Sequence, residues 1–342
     1  MPTSTAETMK APTGLHGDSL PLLEAKERLN RVASSDASVL LTGESGVGKE
    51  VAARTLHQGH PRRRTGPFVA VHCGAIPLNL IESELFGHVR GSFTGAERDH
   101  AGKFEQAHGG TLFLDEVSTM GPDMQVKLLR ALQERSVCRV GGTSSVGVDV
   151  RVIAASNQDL REMVRRGAFR EDLYYRLNVV QISIPALRER AEDIPGLARL
   201  FVEGACRRAG APLKSIPPEM LRALDGHAWP GNVRELENAM EAAVVLAGAA
   251  LDLRIADLPA TIRLGEEVDS RRMVQLTSKG TSLRAIVSGL ERDLVLQSLR
   301  LARGNKAEAA RLLGLKRTTF VEKMRRLDLE TLADGPAHAV SC

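Results

Sequence analysis

Short apolar runs alternate with helical stretches over the first half of the chain. A helix is predicted from about Leu20 to Val32, and five runs rich in valine, isoleucine, leucine and phenylalanine follow it. Near-continuous apolar strands between helices are typical of a parallel sheet that is covered on both faces. The pattern therefore predicts an α/β fold up to about Ile184, with strands in Val39–Leu41, Phe68–Val71, Thr111–Leu114, Val150–Ala155 and Val179–Ile182.

The pattern changes after Pro185, where helical periodicity replaces the strand signals. In this region Asn232 and Glu235 have the spacing of a capping box, so a helix is predicted to begin there, after the turn Trp229-Pro230-Gly231. A polar stretch without a clear period then indicates a linker, and helical periodicity returns after it. The predicted organisation is a flexible tail at 1–17, an α/β core at 18–184, a helical subdomain at 185–264, a linker at 265–282, a helical domain at 283–331 and a tail at 332–342.

Composition narrows the classes of protein that remain. The chain has 342 residues, of which 43% are hydrophobic and only 3% aromatic, so it supports a sizeable core but not an aromatic platform for bases. The net charge of +4 permits DNA binding without requiring it. No run is long and apolar enough to span a bilayer, and the start of the chain lacks the apolar core of a signal peptide. Four cysteines without a C-x-x-C pair fit a reducing compartment, so a cytoplasmic location is expected, with no membrane partner.

A glycine-rich segment lies between the first predicted strand and the next helix. Glycines let a loop wrap a phosphate with its N–H groups at a helix N-terminus, and Lys49 is placed to reach the β- and γ-phosphates of ATP. A glycine-rich turn with a surface lysine is the alternative, and the strand–loop–helix context disfavours it. Glu50 stands where the general motif has a Ser or Thr for Mg²⁺. The predicted nucleotide-binding residues here are Gly43, Glu44, Ser45, Gly46, Val47, Gly48, Lys49 and Glu50.

Two carboxylates end the apolar run Thr111–Leu114. Asp115 is predicted to hold Mg²⁺, directly or through water, and Glu116 to polarise the attacking water. Many buried strands end in an acidic residue, so this motif alone indicates little. Together with the phosphate loop it predicts an ATPase that uses ATP and Mg²⁺.

Several longer motifs carry a family resemblance. These motifs are Glu84–His88, Gly91–Ala96, Gly109–Glu116, Phe169–Asn178 and Trp229–Leu236. Together they resemble the AAA+ ATPases and, within them, the bacterial enhancer-binding proteins of the NtrC and PspF family, over roughly Leu15 to Pro259. The resemblance implies a P-loop parallel sheet flanked by helices, a helical lid, a homo-oligomeric ring (a hexamer), and ATP-driven remodelling of the sigma-54 RNA polymerase closed complex.

The resemblance assigns a sigma-54 contact to one glycine-flanked loop. Ser92 stands where the family has alanine, a change between small residues. An exposed Phe93 between glycines also suggests a contact surface, although a lone segment of this kind more often buries its phenylalanine. The implied contact residues are Gly91, Ser92, Phe93, Thr94, Gly95 and Ala96.

Four further residues acquire roles from the resemblance. Asn157 matches sensor I, which responds to the γ-phosphate, and Arg234 matches sensor II on the lid. Arg170 and Arg176 match the arginine-finger candidates that act on the neighbouring protomer's nucleotide, with Arg176 preferred as the finger. The simpler alternatives are a strand-end turn for Asn157 and a local salt bridge for Arg170.

His72 departs from the family pattern. The resemblance implies an asparagine at this strand end, where it would hold Glu116 until sigma-54 is sensed. Histidine can also hydrogen-bond a carboxylate, but it can gain a charge near neutral pH. A switching histidine and a strand-end histidine without a special role both remain open.

The C-terminal helices resemble a Fis-type helix-turn-helix. Asn305 and Glu308 have capping-box spacing, Gly314 marks the turn, and a second helix is predicted from about Arg317 to Leu327. This helix also resembles that of FleQ-type flagellar regulators over about ten residues. The predicted DNA-facing residues are Lys316, Arg317, Thr318, Thr319 and Lys323, with Arg325 and Arg326 nearer the phosphates.

Three functions fit an AAA+ ATPase with a DNA-binding domain. The loop Gly91–Ala96 and the helix-turn-helix favour an activator that binds enhancer DNA and acts on sigma-54 polymerase. They disfavour a machine with another target, such as a helicase loader or a protease partner, and a TyrR-type repressor. Only about seventeen residues precede the core, too few for a sensory domain. A stand-alone, PspF-like activator is therefore expected, for which a regulatory protein in trans is one possible means of control. A truncated parent gene is the alternative.

Overall fold

The computed structural model describes residues 14–263 except 78 and 94, and residues 291–327 except 293, 297, 300, 301, 303 and 304. The chain divides into two compact units, Met1–Glu266 and Glu267–Cys342. The predicted linker and the C-terminal tail lie outside the described residues, as does most of the N-terminal tail. Among the helices that the structure describes, none has the length and apolar character needed to cross a membrane.

Five parallel strands form the central sheet of the first unit, in the order β2-β5-β8-β1-β9. All five predicted strands are present in it, so the predicted parallel sheet is confirmed. Two short antiparallel pairs, β3 with β4 and β6 with β7, were not predicted because strands of two or three residues leave no apolar run. The strands are β1 Val39–Thr42, β2 Phe68–His72, β3 Gly87–His88, β4 His100–Ala101, β5 Thr111–Asp115, β6 Ser136–Cys138, β7 Ser145–Gly147, β8 Arg151–Ser156 and β9 Val180–Ser183.

Helices cover both faces of the sheet and build the subdomain that follows it. The predicted first helix is confirmed to within one residue. The helices of the first unit are α1 Leu20–Ala33, α2 Lys49–Gln58, α3 Ile81–Phe86, α4 Lys103–Gln106, α5 Pro122–Glu134, α6 Leu160–Arg165, α7 Glu171–Leu177, α8 Ile194–Arg208, α9 Pro218–Asp225, α10 Asn232–Leu246 and α11 Ala260–Arg263. Short 3₁₀ turns lie at Arg63–Thr65, Cys73–Ala75, Val117–Thr119, Leu187–Asp193 and Ile255–Asp257.

Alternate residues of each central strand enter two different cores. Leu40 and Leu112 pack on one face, in a cluster with side chains of α3, α5 and α7. Val39 and Phe113 pack on the other face, with side chains of α1 and α2. Because both faces are buried, the strands read as continuous apolar runs, as a parallel sheet requires.

One buried charge, Arg151 at the start of β8, ties the helices to the sheet. Its guanidinium donates to the carbonyls of Ala33 at 2.8 Å, Val32 at 2.9 Å and Leu56 at 3.2 Å. These carbonyls lie near the C-terminal ends of α1 and α2, where a positive charge is stabilised by the helix dipole. Burial lowers the pKa of Arg151 to about 10, so the guanidinium stays charged at neutral pH.

The helical subdomain has its own core around Trp229, whose indole N–H donates to the Leu224 carbonyl at 2.9 Å. Helix α10 begins at Asn232 as predicted, but the predicted capping box is wrong in detail. Gly231 is the N-cap, and only the Glu235 carboxylate closes back, accepting from the Gly231 N–H at 2.8 Å. The Asn232 side chain does not cap the helix but hydrogen-bonds to other segments, and Asn232 itself has a φ of +54°.

In the second unit, the described residues include the helices Lys306–Leu312 and Arg317–Arg326, with Gly314 at a φ of +64° between them. Asn305 caps the first helix by accepting from the N–H groups of Ala307 and Glu308 at 3.0 and 3.3 Å. Phe320 and Met324 of the second helix fill a small core with Val295 and Leu299. The predicted two helices and the turn are confirmed.

Candidate active site

The glycine-rich loop joins β1 to α2 at the carboxyl edge of the sheet. Gly43, Gly46 and Gly48 have φ values of +148°, +79° and +105°, which side-chain-bearing residues rarely adopt. A Cβ on Gly46 would also collide with the Gly231 carbonyl oxygen, so the loop lies directly against the start of α10. Glycine is therefore required in this loop for two reasons: the positive φ values, and the close contact between Gly46 and the start of α10.

Lys49 is the buried first residue of α2, and its ammonium lies over the loop. Its Nζ donates to the carbonyls of Gly43 at 2.8 Å and Glu44 at 2.9 Å. Burial lowers the pKa of Lys49, while the charges of Asp115 and Glu116 act to raise it. The loop lysine and the two strand-end carboxylates therefore share one electrostatic environment.

The carboxylates Asp115 and Glu116 follow one another at the end of β5. Asp115 Oδ1 accepts from the Glu116 N–H at 3.0 Å, and Glu116 has a φ of +54°. This left-handed turn takes the Glu116 side chain out of the strand direction, to a point where a Cβ on Gly74 would lie 2.6 Å from its Oε2. Carboxylate oxygens are ligands that a hard cation such as Mg²⁺ prefers. The chemistry of Asp115 is therefore compatible with its predicted role as a metal ligand.

His72 ends β2 and pairs in register with Asp115. Its Nδ1 is 3.5 Å from Asp115 Oδ2 and its Nε2 is 3.7 Å from Glu116 Oε2. The next residue, Cys73, is buried, and burial together with the Asp115 charge raises its thiol pKa to about 12. This thiol is therefore not a nucleophile at neutral pH.

Asn157 follows β8 at the same edge of the sheet. It lines a cavity of about 430 Å³ together with Thr42 and Gly43 at the start of the phosphate loop, and with Arg161 and Tyr174. The structure thus brings the predicted sensor I residue beside the loop.

Arg170 and Arg176 are placed differently from the other predicted residues. Arg170 makes a bidentate pair with Asp172, at 3.0 and 2.7 Å, and this is the salt bridge that the sequence offered as the alternative. Arg176 donates to the Leu132 carbonyl at 2.8 Å and lines a cavity with Val150 and Val179, the residues before β8 and β9. Arg176 therefore lies at the amino edge of the sheet, opposite the phosphate loop of its own protomer.

The two remaining predicted nucleotide-binding residues, Glu50 and Arg234, both lie next to the phosphate loop. Glu50 pairs with Arg54 one turn along α2, at 3.0 and 2.7 Å. Arg234 is exposed on α10, and its backbone N–H donates to the Gly46 carbonyl at 3.3 Å.

Sequence reasoning missed a polar cluster that joins Glu44 to the helical subdomain. Arg188 donates to the Glu44 carboxylate at 2.7 Å, and the Asn232 amide donates to it at 3.1 Å. These two hydrogen bonds, with Arg188 the stronger cause, lower the pKa of Glu44 to about 2. A carboxylate inside a phosphate-binding loop needs a nearby cation, so Glu44 itself was a signal that such a partner exists. The sequence could not identify Arg188 as that partner, because the two residues are far apart in the chain.

The predicted sigma-54 contact loop connects β3 to β4. Gly91 and Gly95 have positive φ values of +80° and +102° with open space where a Cβ would lie, and the Gly91 N–H donates to the Ala96 carbonyl at 2.8 Å. Phe93 is 39% exposed, and its ring lies edge-on to His88 at 5.0 Å. Thr94 lies outside the described residues.

The base of this loop is held by a neighbouring turn. The Val140 N–H donates to the Gly87 carbonyl at 2.9 Å, and the Val89 N–H donates to the Val140 carbonyl at 3.1 Å. Ser92 packs on Gly141, where any side chain would collide with it. The loop thus presents a half-exposed apolar tip from a fixed base.

In the second unit, the predicted DNA-facing residues do not share one environment. Lys316, Arg317, Thr318 and Thr319 are all exposed at the start of the second helix. Lys323, one to two turns on, donates to Glu291 at 2.8 Å, and Arg326 pairs with the same carboxylate. Four of the five predicted DNA-facing residues are therefore exposed together in the first turn of the helix, whereas Lys323 is engaged in an ion pair.

This architecture defines a AAA+ ATPase unit with a helix-turn-helix domain. Residues 15–183 match the family model of the sigma-54 interaction domain, residues 188–274 the AAA+ ATPase lid domain, and residues 287–327 the Fis family of bacterial regulatory proteins. The chain belongs to the family of sigma-54-dependent transcriptional activators, and it combines that family's ATPase and DNA-binding domains. The predicted family is thus confirmed.

Individual relatives agree with this assignment. The chain is 45% identical to the DNA-binding transcriptional regulator NtrC of Escherichia coli K12 over 334 residues, which are 93% of this chain and 71% of that protein. It is 46% identical to the transcriptional regulatory protein ZraR of Klebsiella oxytoca, over 94% of this chain and 70% of that one. Among solved structures, it resembles NtrX from Brucella abortus in complex with ATP, with a TM-score of 0.67 and 36% identity over 92% of this chain and 69% of that chain.

Proposed function

We propose that ATP is hydrolysed where the phosphate loop, the end of β5 and the start of α10 meet. One observation carries the proposal: the buried Lys49 ammonium, which donates to the loop carbonyls of Gly43 and Glu44, shares its electrostatic environment with the end of β5 and the start of α10. The charged groups from those two segments are Asp115, Glu116 and Arg234. A cation over a loop of N–H groups binds a polyphosphate, and a carboxylate beside it can orient a water molecule for attack. In this proposal Lys49 binds the β- and γ-phosphates, Glu116 polarises the water and Asn157 contacts the γ-phosphate.

The donor set at the end of β5 fits Mg²⁺. Asp115 offers a carboxylate at the sheet edge, whereas Glu50, at the position that commonly supplies a hydroxyl, is paired with Arg54. Asp115 would therefore hold the ion directly or through water. Bound Mg²⁺ would neutralise charge on the phosphates.

The site is completed by a second protomer in this proposal. Arg176 lies at the amino edge of the sheet and cannot serve the phosphate loop of its own protomer. In this proposal Arg176 instead neutralises the transferring phosphoryl group bound to a neighbouring protomer, and the protomers close into a ring, proposed to be a hexamer. Arg170, held by Asp172, would support the same interface.

Two surfaces are assigned to the macromolecules that the protein would bind. The loop Gly91–Ala96 would contact sigma-54 through Phe93 and Thr94, and the exposed turn at Lys316–Thr319 would contact enhancer DNA. The protein would meet both targets in the cytoplasm, and a regulatory protein in trans is included in the proposal as a further partner.

Loss of single side chains tests the ATP site. Lys49→Ala should lose nucleotide binding and turnover, and Glu116→Ala should bind ATP but lose about two to three orders of magnitude in turnover. Lys127→Ala and Glu219→Ala, on exposed surfaces, are matched controls and should turn over ATP normally. Normal turnover in Lys49→Ala or Glu116→Ala would refute the site.

A further inference from the structure

Each backbone carbonyl of the phosphate loop, residues 43–48, accepts a hydrogen bond from another group of the protein. The Lys49 ammonium donates to the carbonyls of Gly43 and Glu44, and the Ala52 N–H donates to the carbonyl of Gly48. The three carbonyls between them are bound from outside the loop. They belong to Ser45, Gly46 and Val47, and their donors are the Asn232 amide at 3.0 Å, the Arg234 N–H at 3.3 Å and the Arg190 guanidinium at 3.0 Å.

This arrangement matters because a phosphate-binding loop works through its N–H groups. A carbonyl oxygen turned toward a polyphosphate would repel it, whereas N–H groups and a helix N-terminus attract it. The donors of residues 190, 232 and 234 hold three successive carbonyls against the lid side of the loop. The loop is thereby held in one shape by groups from a different part of the chain.

Asn232 has the most specific fit among these donors. It is fully buried, its Oδ1 accepts from the Leu187 N–H at 2.8 Å, and its Nδ2 donates to both the Ser45 carbonyl and the Glu44 carboxylate. One acceptor and two donors on a planar group are what a side-chain amide offers and a carboxylate does not. Its φ of +54° is also a conformation that asparagine tolerates better than most residues.

We propose that Asn232 is a positioning residue for ATP binding: its amide clamps the phosphate loop to the lid in the shape that receives the triphosphate. It touches no reacting atom, and it acts through the Ser45 carbonyl and the Glu44 carboxylate. The inference rests on the proposed ATP site. It adds that the affinity for nucleotide depends on a side chain of the lid.

Two substitutions of Asn232 separate the contribution of its side-chain amide from the contribution of its backbone conformation. Asn232→Asp keeps the shape but places an oxygen against the Ser45 carbonyl and the Glu44 carboxylate, so it replaces two hydrogen bonds with repulsion. Asn232→Gly keeps the positive φ without strain and removes the amide. Asn30→Asp, an exposed asparagine on α1, is the matched control.

Steady-state ATP turnover of the full chain should show a split between KM and kcat. Both Asn232 variants should raise the KM for ATP about tenfold, with kcat at saturation within about twofold of wild type, and Asn30→Asp should match wild type in both. Partial misfolding lowers the apparent kcat but leaves KM unchanged, so the KM reading is insensitive to it. If the aspartate variant does not fold, the glycine variant carries the same test.

The outcomes distinguish this inference from the site on which it rests. A wild-type KM in a folded Asn232 variant, beside loss of ATP binding in Lys49→Ala, would overturn the clamp and leave the ATP site standing. A fall in kcat at unchanged KM would overturn it as well. Unchanged ATP binding in Lys49→Ala would refute the site itself.

Discussion

His72 Nε2 lies 3.7 Å from Glu116 Oε2, across the gap between two neighbouring parallel strands. Its other ring nitrogen is 3.5 Å from Asp115. The imidazole therefore stands beside both carboxylates of the candidate site, slightly beyond hydrogen-bond distance from each. Small movements of either strand end would make or break a contact to Glu116, which fits a residue that restrains this carboxylate.

Substitution of His72 distinguishes the two interpretations. If His72 restrains Glu116, His72→Ala should shift basal ATP turnover by about tenfold and remove its response to sigma-54, since a hydrogen bond to a charged group contributes roughly 1.5–3 kcal/mol. His72→Asn, which keeps a donor, should retain the response. ATP turnover with and without sigma-54 is the measurement, and identical behaviour of His72→Ala and wild type would leave a strand-end histidine without a special role.

The position of Arg176 predicts complementation between inactive subunits. Arg176→Ala and Glu116→Ala should each be inactive alone. Mixed rings should recover part of the turnover, because the two lesions then fall on opposite sides of shared sites and some interfaces are intact. Turnover is measured against the mixing ratio, with mixed rings confirmed by differential tagging. Absence of recovery at every ratio would contradict a finger that acts in trans.

The sequence predicted those parts of the molecule that depend on local pattern. Both faces of the central strands are buried, so the strands appeared as apolar runs, and the positive φ values of the loop glycines appeared as a spaced glycine motif. Contacts between distant segments could not be predicted. Arg151 and Asn232 act on backbone groups far away in sequence, and nothing in their own neighbourhoods indicates the carbonyls that they bind.

The capping prediction at Asn232 shows the same limit. The spacing of Asn232 and Glu235 was correct for a helix start, and Glu235 does close back on Gly231. The asparagine is instead recruited by the phosphate loop, because a tertiary hydrogen-bond partner outweighs a local cap. At Asn305, where the described residues give the side chain only local backbone partners, the same pattern correctly marked the N-cap.

The ion pair between buried Arg63 and Asp149 predicts acid sensitivity. The hydrogen bond from Arg63 lowers the pKa of Asp149, so the native state holds the carboxylate ionised more strongly than the unfolded chain does. The stabilisation is present above the unfolded pKa of about 3.9 and is lost as the pH falls through the lowered native value. Because Asp149 is largely exposed, its contribution should stay below about 1 kcal/mol.

Asp149→Asn should therefore lower the melting temperature at pH 7 but narrow its difference from wild type as the pH falls below about 4. Asp225→Asn, at the exposed end of α9, is the matched control. Thermal unfolding of the ATPase unit at several pH values is the measurement. An equal difference from wild type at pH 7 and pH 3 would contradict the assignment.

The exposed turn at the start of the second C-terminal helix predicts graded effects on DNA binding. Arg317→Ala should cost about 1–3 kcal/mol on a specific site if Arg317 contacts a base bidentately. Lys323→Ala should cost less, because its ammonium is already engaged by Glu291 at 2.8 Å. Affinity is measured against salt on specific and random duplexes. An equal loss on both duplexes would make Arg317 a phosphate contact instead.

The loop between β3 and β4 predicts that ATP hydrolysis and its output can be separated. Thr94 belongs to the glycine-flanked tip next to the half-exposed Phe93, whereas the candidate ATP site is built from other segments. Thr94→Ala removes no phosphate or metal contact, so ATP turnover should stay within about twofold of wild type. DNA binding should also persist, because it resides in the second unit. Open-complex formation by sigma-54 polymerase should be abolished, since the loop no longer transmits the energy of hydrolysis.

Trapping experiments give the direct test of that contact. A transition-state mimic of ATP should hold wild-type protein on sigma-54 but not Thr94→Ala, while Thr65→Ala, an exposed threonine before β2, should behave as wild type. Phe93→Ala should lose trapping as well, because an apolar ring at a glycine-flanked tip gains most when a partner covers it. If Thr94→Ala opened a sigma-54 promoter at the normal rate, the loop would not be the coupling element. The output of hydrolysis would then have to leave through another surface of the ATPase unit.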